Sequence, residues 1–294
     1  MSWYSGLNAR ILFDEPLARH TTLRLGPVAR LWIEPFNRQS LALLVKKIKA
    51  RKLTWLVIGC GSKLLITKKS LPLVLHLGAG DFKACSAEDN DIVAGAGVRV
   101  SSLLKAAYDH GLGGLEFLSG IPASVGGAVM LNAGVGWPER LEIGPFVHEL
   151  EVMTHNGLIK TLHRHDLEFG YRYSNLKKYI IVSARFRLFK KRKENIKIKM
   201  RKFLNHRQET QGLDGFSAGC IFKNSNGQSS GKLIDLCGLK GKQIGDAMIS
   251  TKHANFIINR GNAEAKDILT LMKLMKTQVR KKFNLTLEAE IQIV

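Results

Sequence analysis

The stretch from Gly113 to Gly134, GGLEFLSGIPASVGGAVMLNAG, places glycine at 113, 114, 120, 126, 127 and 134. Each glycine inside a helix or strand costs about 0.5–1 kcal/mol relative to alanine, so neither a regular helix nor a long strand suits this segment. A loop system lined by bare backbone is expected here. A second, shorter instance lies upstream. From Asn37 to Lys52, Leu41, Leu44, Val45 and Ile48 fall at i, i+3, i+4 and i+7, an amphipathic helix with Ser40 placed to cap it. TWLVIG then reads as a short buried strand running directly into the glycine-punctuated turn GCGSKLL.

Backbone without side chains lets N–H groups approach an anion, so the loops Gly59–Leu65 and Ser119–Ala128 are candidate phosphate cradles, with Ser62 and Ser124 as hydroxyl donors. The competing reading is a pair of tight turns in a small β domain. Known phosphate fingerprints do not match. A dinucleotide G-x-G-x-x-G needs glycine where Leu64 stands, and a P-loop reading of NGQSSGKL has Asn226 at its first glycine and Leu233 at its magnesium-binding hydroxyl.

The rest of the chain alternates short elements. Leu71 to Arg99 is strand-rich, and a helix opens at Ser101 and stops at Gly111. VHELEVMTHNGLIKTL forms a hairpin around Asn156-Gly157, and YIIVSARFRLF is a further strand. Lys190 to Lys202 holds eight basic residues and one acid, which marks a boundary near residue 200 and a solvated face. Ile268, Leu271, Met272, Met275 and Val279 predict a helix over 263–282, and LTLEAEIQIV closes the chain as a strand. The 294 residues suffice for two or three units.

Composition narrows the partners. With 45 Lys and Arg against 24 Asp and Glu, the net charge is +21, which attracts anions. The basic run lacks interleaved aromatics and no nucleic-acid module is present, so nucleic acid is not the expected partner. No secretory leader and no apolar run of about 18 residues appears, so a cytoplasmic protein without membrane insertion is expected. Cys60, Cys85, Cys220 and Cys237 contain no C-x-x-C pair, and His163 with His165 lacks a third ligand, so no metal is expected. Cys220, in GFSAGCIFKN, is open to four readings: a buried small hydrophobe, a metal ligand, a redox thiol or a catalytic acid.

The ordered motifs GCGSKLL, GLEFLSGIPASVGGAVMLNAG, FGYRYS, SAGCIFKN, GKLIDLCGLKG, KHANFIIN and LEAEI resemble those of the UDP-N-acetylenolpyruvoylglucosamine reductase (MurB) family, in its compact form, from His20 to the C-terminus. The resemblance implies an α+β fold: a two-part FAD-binding clasp of the PCMH, or vanillyl-alcohol-oxidase, type plus a C-terminal α+β substrate-binding domain. The corresponding divisions are 1–72, 73–200 and 201–294. It implies NADPH-driven reduction of UDP-N-acetylglucosamine enolpyruvate to UDP-N-acetylmuramate for peptidoglycan. It further implies that hydride passes from reduced FAD to the enolpyruvyl methylene carbon.

Carried over by motif, the flavin contacts are Gly59, Cys60, Gly61, Ser62, Lys63 and Leu64 in the first loop, and Gly120, Ile121, Pro122, Ser124, Gly126 and Gly127 in the second. Arg172 matches the arginine that holds and polarises the substrate carboxylate, Cys220 the proton donor (more usually serine), and Glu290 the catalytic glutamate. Asn224, Lys232 and Tyr171 match substrate contacts. A thiol of ordinary pKa, about 8.5, is protonated at neutral pH and can serve as the acid. Glu288 lies two residues from Glu290, on one face of a strand, so periodicity does not separate them. The chain departs from the family pattern at Cys60 (usually Gly), Lys63 (usually Asn), Ala123 (usually Gly), Ser225 (usually Pro) and Val135–Glu139. The remaining alternatives are a flavin oxidase sharing the clasp and a basic nucleic-acid-binding protein.

Overall fold

The computed structural model describes residues 2–211, 215–224 and 227–294, so the departure at Ser225 lies outside the described residues. The chain divides into two units interleaved in sequence. The first comprises Met1–Glu15, Ala29–Cys60 and Leu71–Leu204; the second comprises Pro16–Val28, Gly61–Ser70 and Asn205–Val294. Each has its own apolar core.

Two larger sheets, of four and five strands, make up most of the first unit's strand structure. One orders its strands Ala9–Pro16, Val28–Pro35, Ser70–His76 and Leu56–Ile58, the last two running parallel. The other is fully antiparallel in the order Ile159–His163, Val147–Thr154, Tyr179–Arg187, Asp91–Gly95 and Cys85–Glu88. Helix α1, Arg38–Ala50, buries Leu41, Leu44, Val45 and Ile48, the stripe expected from sequence. Its cap is Asn37, whose side chain accepts from the Ser40 N–H at 2.9 Å; Ser40 instead takes the Asn8 N–H at 2.8 Å. The expected Ser40 cap is thus displaced by three residues, because Asn37 holds the extended backbone that capping requires. Helix α2, Val100–Asp109, ends before Gly111, which is left-handed at φ 64° as expected. The hairpin turn between Val147–Thr154 and Ile159–His163 likewise has Gly157 at φ 76°.

The glycine-rich segment is not wholly a loop. Helix α3, Val125–Met130, includes Gly126 and Gly127, and Ser124 caps it by accepting the Gly127 N–H. Close packing accounts for the glycine: a Cβ at Gly126 would stand 3.0 Å from the Ala96 Cβ. Helix α4, Lys193–Thr210, takes up most of the basic run. That run is not uniformly solvated, since Lys191 pairs at 2.9 Å with Glu116, whose side chain is 7% exposed. Residue 72 falls inside the strand Ser70–His76 and residue 200 inside α4.

In the second unit an antiparallel sheet runs Phe216–Cys220, Phe256–Asn259, Ala247–Ile249, Gln243–Ile244. Helix α5, Ser230–Leu236, and helix α6, Ala265–Phe283, supply its helical layer. On α6 the buried apolar residues are Ile268, Leu271, Met272, Met275 and Val279, as the 3.6-residue period predicts. At about 1.5–3 kcal/mol per buried aliphatic side chain, this stripe is what holds an otherwise Lys-rich helix in place. The closing segment departs from expectation. Only Gln292–Ile293 is strand, paired in parallel with Leu64–Leu65, and Ala289 makes an isolated bridge to Phe222. No described helix is long and apolar enough to cross a membrane.

Candidate active site

In the first unit Gly59, which opens the first glycine loop, lies against Ser124 of the second. A Cβ on Gly59 would stand 2.3 Å from the Ser124 Oγ, so only glycine permits this approach. The second loop spends much of its backbone internally: Ile121 N–H donates to Leu118, Ala123 to Ile121, Val125 to Val98 and Gly126 to Ala96. The expected array of open N–H donors is therefore reduced. Ser124 keeps a hydroxyl hydrogen to donate, since its oxygen serves as the cap acceptor. Gly120 is left-handed at φ 78°. Cys60 follows Gly59 in the first loop, and burial pushes its thiol up, opposed by the charges of Arg99 and Lys83. Bare backbone, a hydroxyl and two nearby cations fit a bound anionic dinucleotide such as FAD. His163 and His165 stack on each other in the exposed turn, and no group of three or more His, Cys, Asp or Glu residues able to hold a metal occurs among the described residues.

Arg172 is set by a short hairpin. Phe169–Gly170 pairs with Tyr173–Ser174, leaving Tyr171 and Arg172 as the two-residue turn. Arg172 is left-handed at φ 54°, a conformation that costs a non-glycine residue about 1–3 kcal/mol. The fully buried Asn132 opposes that cost. Its Nδ2 donates to Gly170 O at 2.8 Å and to Glu142 at 2.9 Å, and its Oδ1 accepts the Gly144 N–H at 2.9 Å. Ser174 Oγ adds a bond to Met130 O at 2.7 Å, so the hairpin is tied to the end of α3 and hence to the second loop. Arg172 Nη2 donates to Gly134 O at 3.0 Å, and its guanidinium lies 5.2 Å from the Tyr171 ring centroid. The Arg140 guanidinium lies 4.8 Å from the same ring.

In the second unit Cys220 sits at a bulge. Ser217 opposes Ile258 and Cys220 opposes Phe256, so the strand carries an extra residue, with Gly219 left-handed at φ 69°. Asn255, buried, then clamps the chain by bonding both N–H and C=O of Phe222. Glu290 N–H donates to Ile221 O at 2.8 Å, bringing the end of the chain alongside the bulge. The Glu290 side chain is only 5% exposed and pairs with Lys63 Nζ at 2.7 Å; the same ammonium donates to Cys220 O at 2.8 Å. Glu288 behaves differently: it is 72% exposed and pairs with Lys223. The expected shared face fails because this segment is not a regular strand.

Gly61, at φ 59°, packs so closely that a Cβ would stand 2.1 Å from His20 O. Ser62 is half-buried and Leu64 buried in the short strand beyond it. Asn224 Oδ1 accepts the Ser230 N–H at 3.1 Å at the start of α5, and Lys232 is exposed on that helix. Arg207, on α4, was not singled out by sequence: burial holds its guanidinium below its ordinary value, opposed by the nearby Cys220. Asn132 and Asn255 were likewise missed, although both stand inside the motifs that carried the resemblance.

Residues 29–163 match the FAD binding domain model, and residues 211–294 match the model of the UDP-N-acetylenolpyruvoylglucosamine reductase C-terminal domain. The reductase of that name from Agathobacter rectalis is 40% identical, over 97% of this chain and 94% of the relative. The chain belongs to the UDP-N-acetylenolpyruvoylglucosamine reductase family. The reductase from Syntrophobacter fumaroxidans is 39% identical over 96% of this chain and 83% of its own length. The crystal structure of the reductase from Thermus caldophilus superposes with a TM-score of 0.81 at 36% identity, covering 97% of this chain and 98% of that one. A more distant likeness, to 6-hydroxy-D-nicotine oxidase from Arthrobacter nicotinovorans (TM-score 0.51, 16% identity, 63% of this chain and 43% of that one), concerns the fold alone. The α+β fold with an FAD-binding clasp and a family-specific C-terminal domain is as the resemblance implied.

Proposed function

We propose that Arg172, Cys220 and Glu290 are the working side chains of this reductase, and that the two glycine loops seat its flavin. The chain is an FAD-dependent, NADPH-driven oxidoreductase of peptidoglycan precursor synthesis, reducing UDP-N-acetylglucosamine enolpyruvate. FAD, when bound, supplies the hydride chemistry, taking a hydride from NADPH and giving one to the enolpyruvyl methylene carbon. Gly59, Cys60, Gly61, Ser62, Leu64 and the backbone, not the side chain, of Lys63 are the flavin contacts proposed in the first loop, and Gly120, Ile121, Pro122, Ser124, Gly126 and Gly127 those in the second. Its proposed place of work is the cytoplasm.

The remaining chemistry belongs to side chains. As hydride arrives, negative charge builds on the substrate as an enolate delocalised onto its carboxylate. A permanent guanidinium matches that charge with two parallel donors, and the strained backbone of Arg172 fixes where the fork points. The neighbouring carbon then takes a proton, which Cys220 donates from its thiol. Glu290 is the fixed acceptor beside the acid, orienting donors around the carbon that is protonated. Tyr171, Asn224 and Lys232 contact the UDP-sugar. The observation that carries this reading is the glycine bulge at Cys220, whose carbonyl takes the same Lys63 ammonium that pairs with the buried Glu290 carboxylate, in a chain of this family.

The test is anaerobic stopped-flow kinetics on Cys220→Ala and Cys220→Ser. The alanine variant is expected to keep NADPH bleaching of the flavin and to lose recovery on adding the enolpyruvyl sugar, while the serine variant keeps substantial turnover. Unchanged recovery in Cys220→Ala would reduce Cys220 to a packing residue.

A further inference from the structure

The Lys63 side chain bonds to both catalytic candidates of the second unit. Its backbone is fixed first: Leu64–Leu65 pairs in parallel with Gln292–Ile293, and the Gln292 N–H donates to Lys63 O at 2.8 Å, two residues beyond Glu290. Its ammonium then reaches Glu290 Oε1 at 2.7 Å and Cys220 O at 2.8 Å. Gly219 of the bulge lies against it, a Cβ there standing 3.4 Å from Lys63 Nζ. The Lys63 side chain is 23% exposed and that of Glu290 5%, so the pair is largely withdrawn from water. In such surroundings removing one partner is far more damaging than forfeiting the attraction, because the other is left buried and charged. The resemblance gives asparagine as the usual residue here, whose amide is neutral and whose nitrogen lies two bonds nearer the backbone.

We infer that Lys63 is a positioning residue for the proton-transfer half of the reaction, one ammonium holding the Glu290 carboxylate and the Cys220 bulge in register. This gives the departure at Lys63 a task separate from flavin contact, and it rests on the roles proposed for Cys220 and Glu290. The link is one of geometry: the acid and the carboxylate beside it share a single anchor, so a shift in either moves the other. Small displacements of a catalytic group are costly, and a loosened support typically lowers rate by about 10–100-fold.

The experiment compares Lys63→Met, Lys63→Arg, Glu290→Gln and the Lys63→Met/Glu290→Gln double variant, each loaded with FAD and followed anaerobically through both half-reactions. Lys63→Met should retain its flavin and its NADPH bleaching rate, while recovery with the enolpyruvyl sugar slows by about tenfold or more. Lys63→Arg should restore most of that rate, and adding Lys63→Met to Glu290→Gln should slow recovery no further. Recovery in Lys63→Met within about twofold of the unaltered enzyme, with Glu290→Gln impaired, overturns this inference alone. Loss of flavin, or equal slowing of both half-reactions, overturns it in favour of a flavin-loop role. Full recovery in Glu290→Gln overturns the assigned role of Glu290 and this inference with it.

Discussion

Glu34 makes the acid stability of the first unit calculable. Its side chain is 3% exposed, receives a hydrogen bond from His76 Nδ1 at 2.6 Å and pairs with Arg10. Burial alone pushes the carboxyl up; the hydrogen bonds from His76 and Trp32 and the charges of His76 and Arg10 outweigh it, bringing the group from 4.5 down to about 2. A depressed folded value means that the unfolded chain binds the proton first on acidification. The stabilisation is therefore complete above about pH 4.5 and is lost as pH falls toward 2. At about 1.4 kcal/mol per unit the full contribution is about 3 kcal/mol, of which about 2 kcal/mol disappears between pH 5 and pH 3. Glu34→Gln keeps the volume and removes the titration. All four tryptophans, Trp3, Trp32, Trp55 and Trp137, belong to the first unit, so urea unfolding followed by tryptophan fluorescence reports on it. The stability gap between the unaltered protein and Glu34→Gln should narrow by about 2 kcal/mol from pH 5 to pH 3. A gap that stays constant over that interval would refute the assignment of the carboxyl's depression to this cluster.

Gly61→Ala should lose flavin, measured by visible absorbance after gel filtration with excess FAD, because a Cβ there would collide with His20 O and the residue is left-handed at φ 59°. Leu271→Ala, at a fully buried site on α6, should cost about 2–5 kcal/mol in denaturant unfolding followed by circular dichroism. Arg172→Lys keeps the charge but not the two-pronged donor, and recovery with the enolpyruvyl sugar should slow by about a hundredfold while NADPH bleaching is spared.

Periodic features were legible in the sequence because one face of an element meets one core: the buried stripes of α1 and α6 lie at the residues their spacing names. Local chemistry was partly legible. Gly111 and Gly157 turn as expected, but Asn37 and not Ser40 caps α1, and Ser124 allows Gly126-Gly127 to start a helix despite their propensity. What sequence could not show is long-range. Lys63 bonds a carbonyl 157 residues away, and no period links them. Glu288 and Glu290 read alike on a strand, yet isolated bridging to Phe222 turns one toward Lys223 and buries the other. Asn132 and Asn255 bind backbone that only the fold brings near, so their motifs signalled them without revealing the work they do.

The most direct test of the central claim is the visible spectrum of the FAD-loaded protein followed anaerobically, first with NADPH and then with UDP-N-acetylglucosamine enolpyruvate. Bleaching by NADPH that persists until the enolpyruvyl sugar is added, then recovers with formation of UDP-N-acetylmuramate, is the predicted result. A protein that takes up no FAD, or whose bleached flavin recovers with oxygen and ignores the sugar, would contradict it.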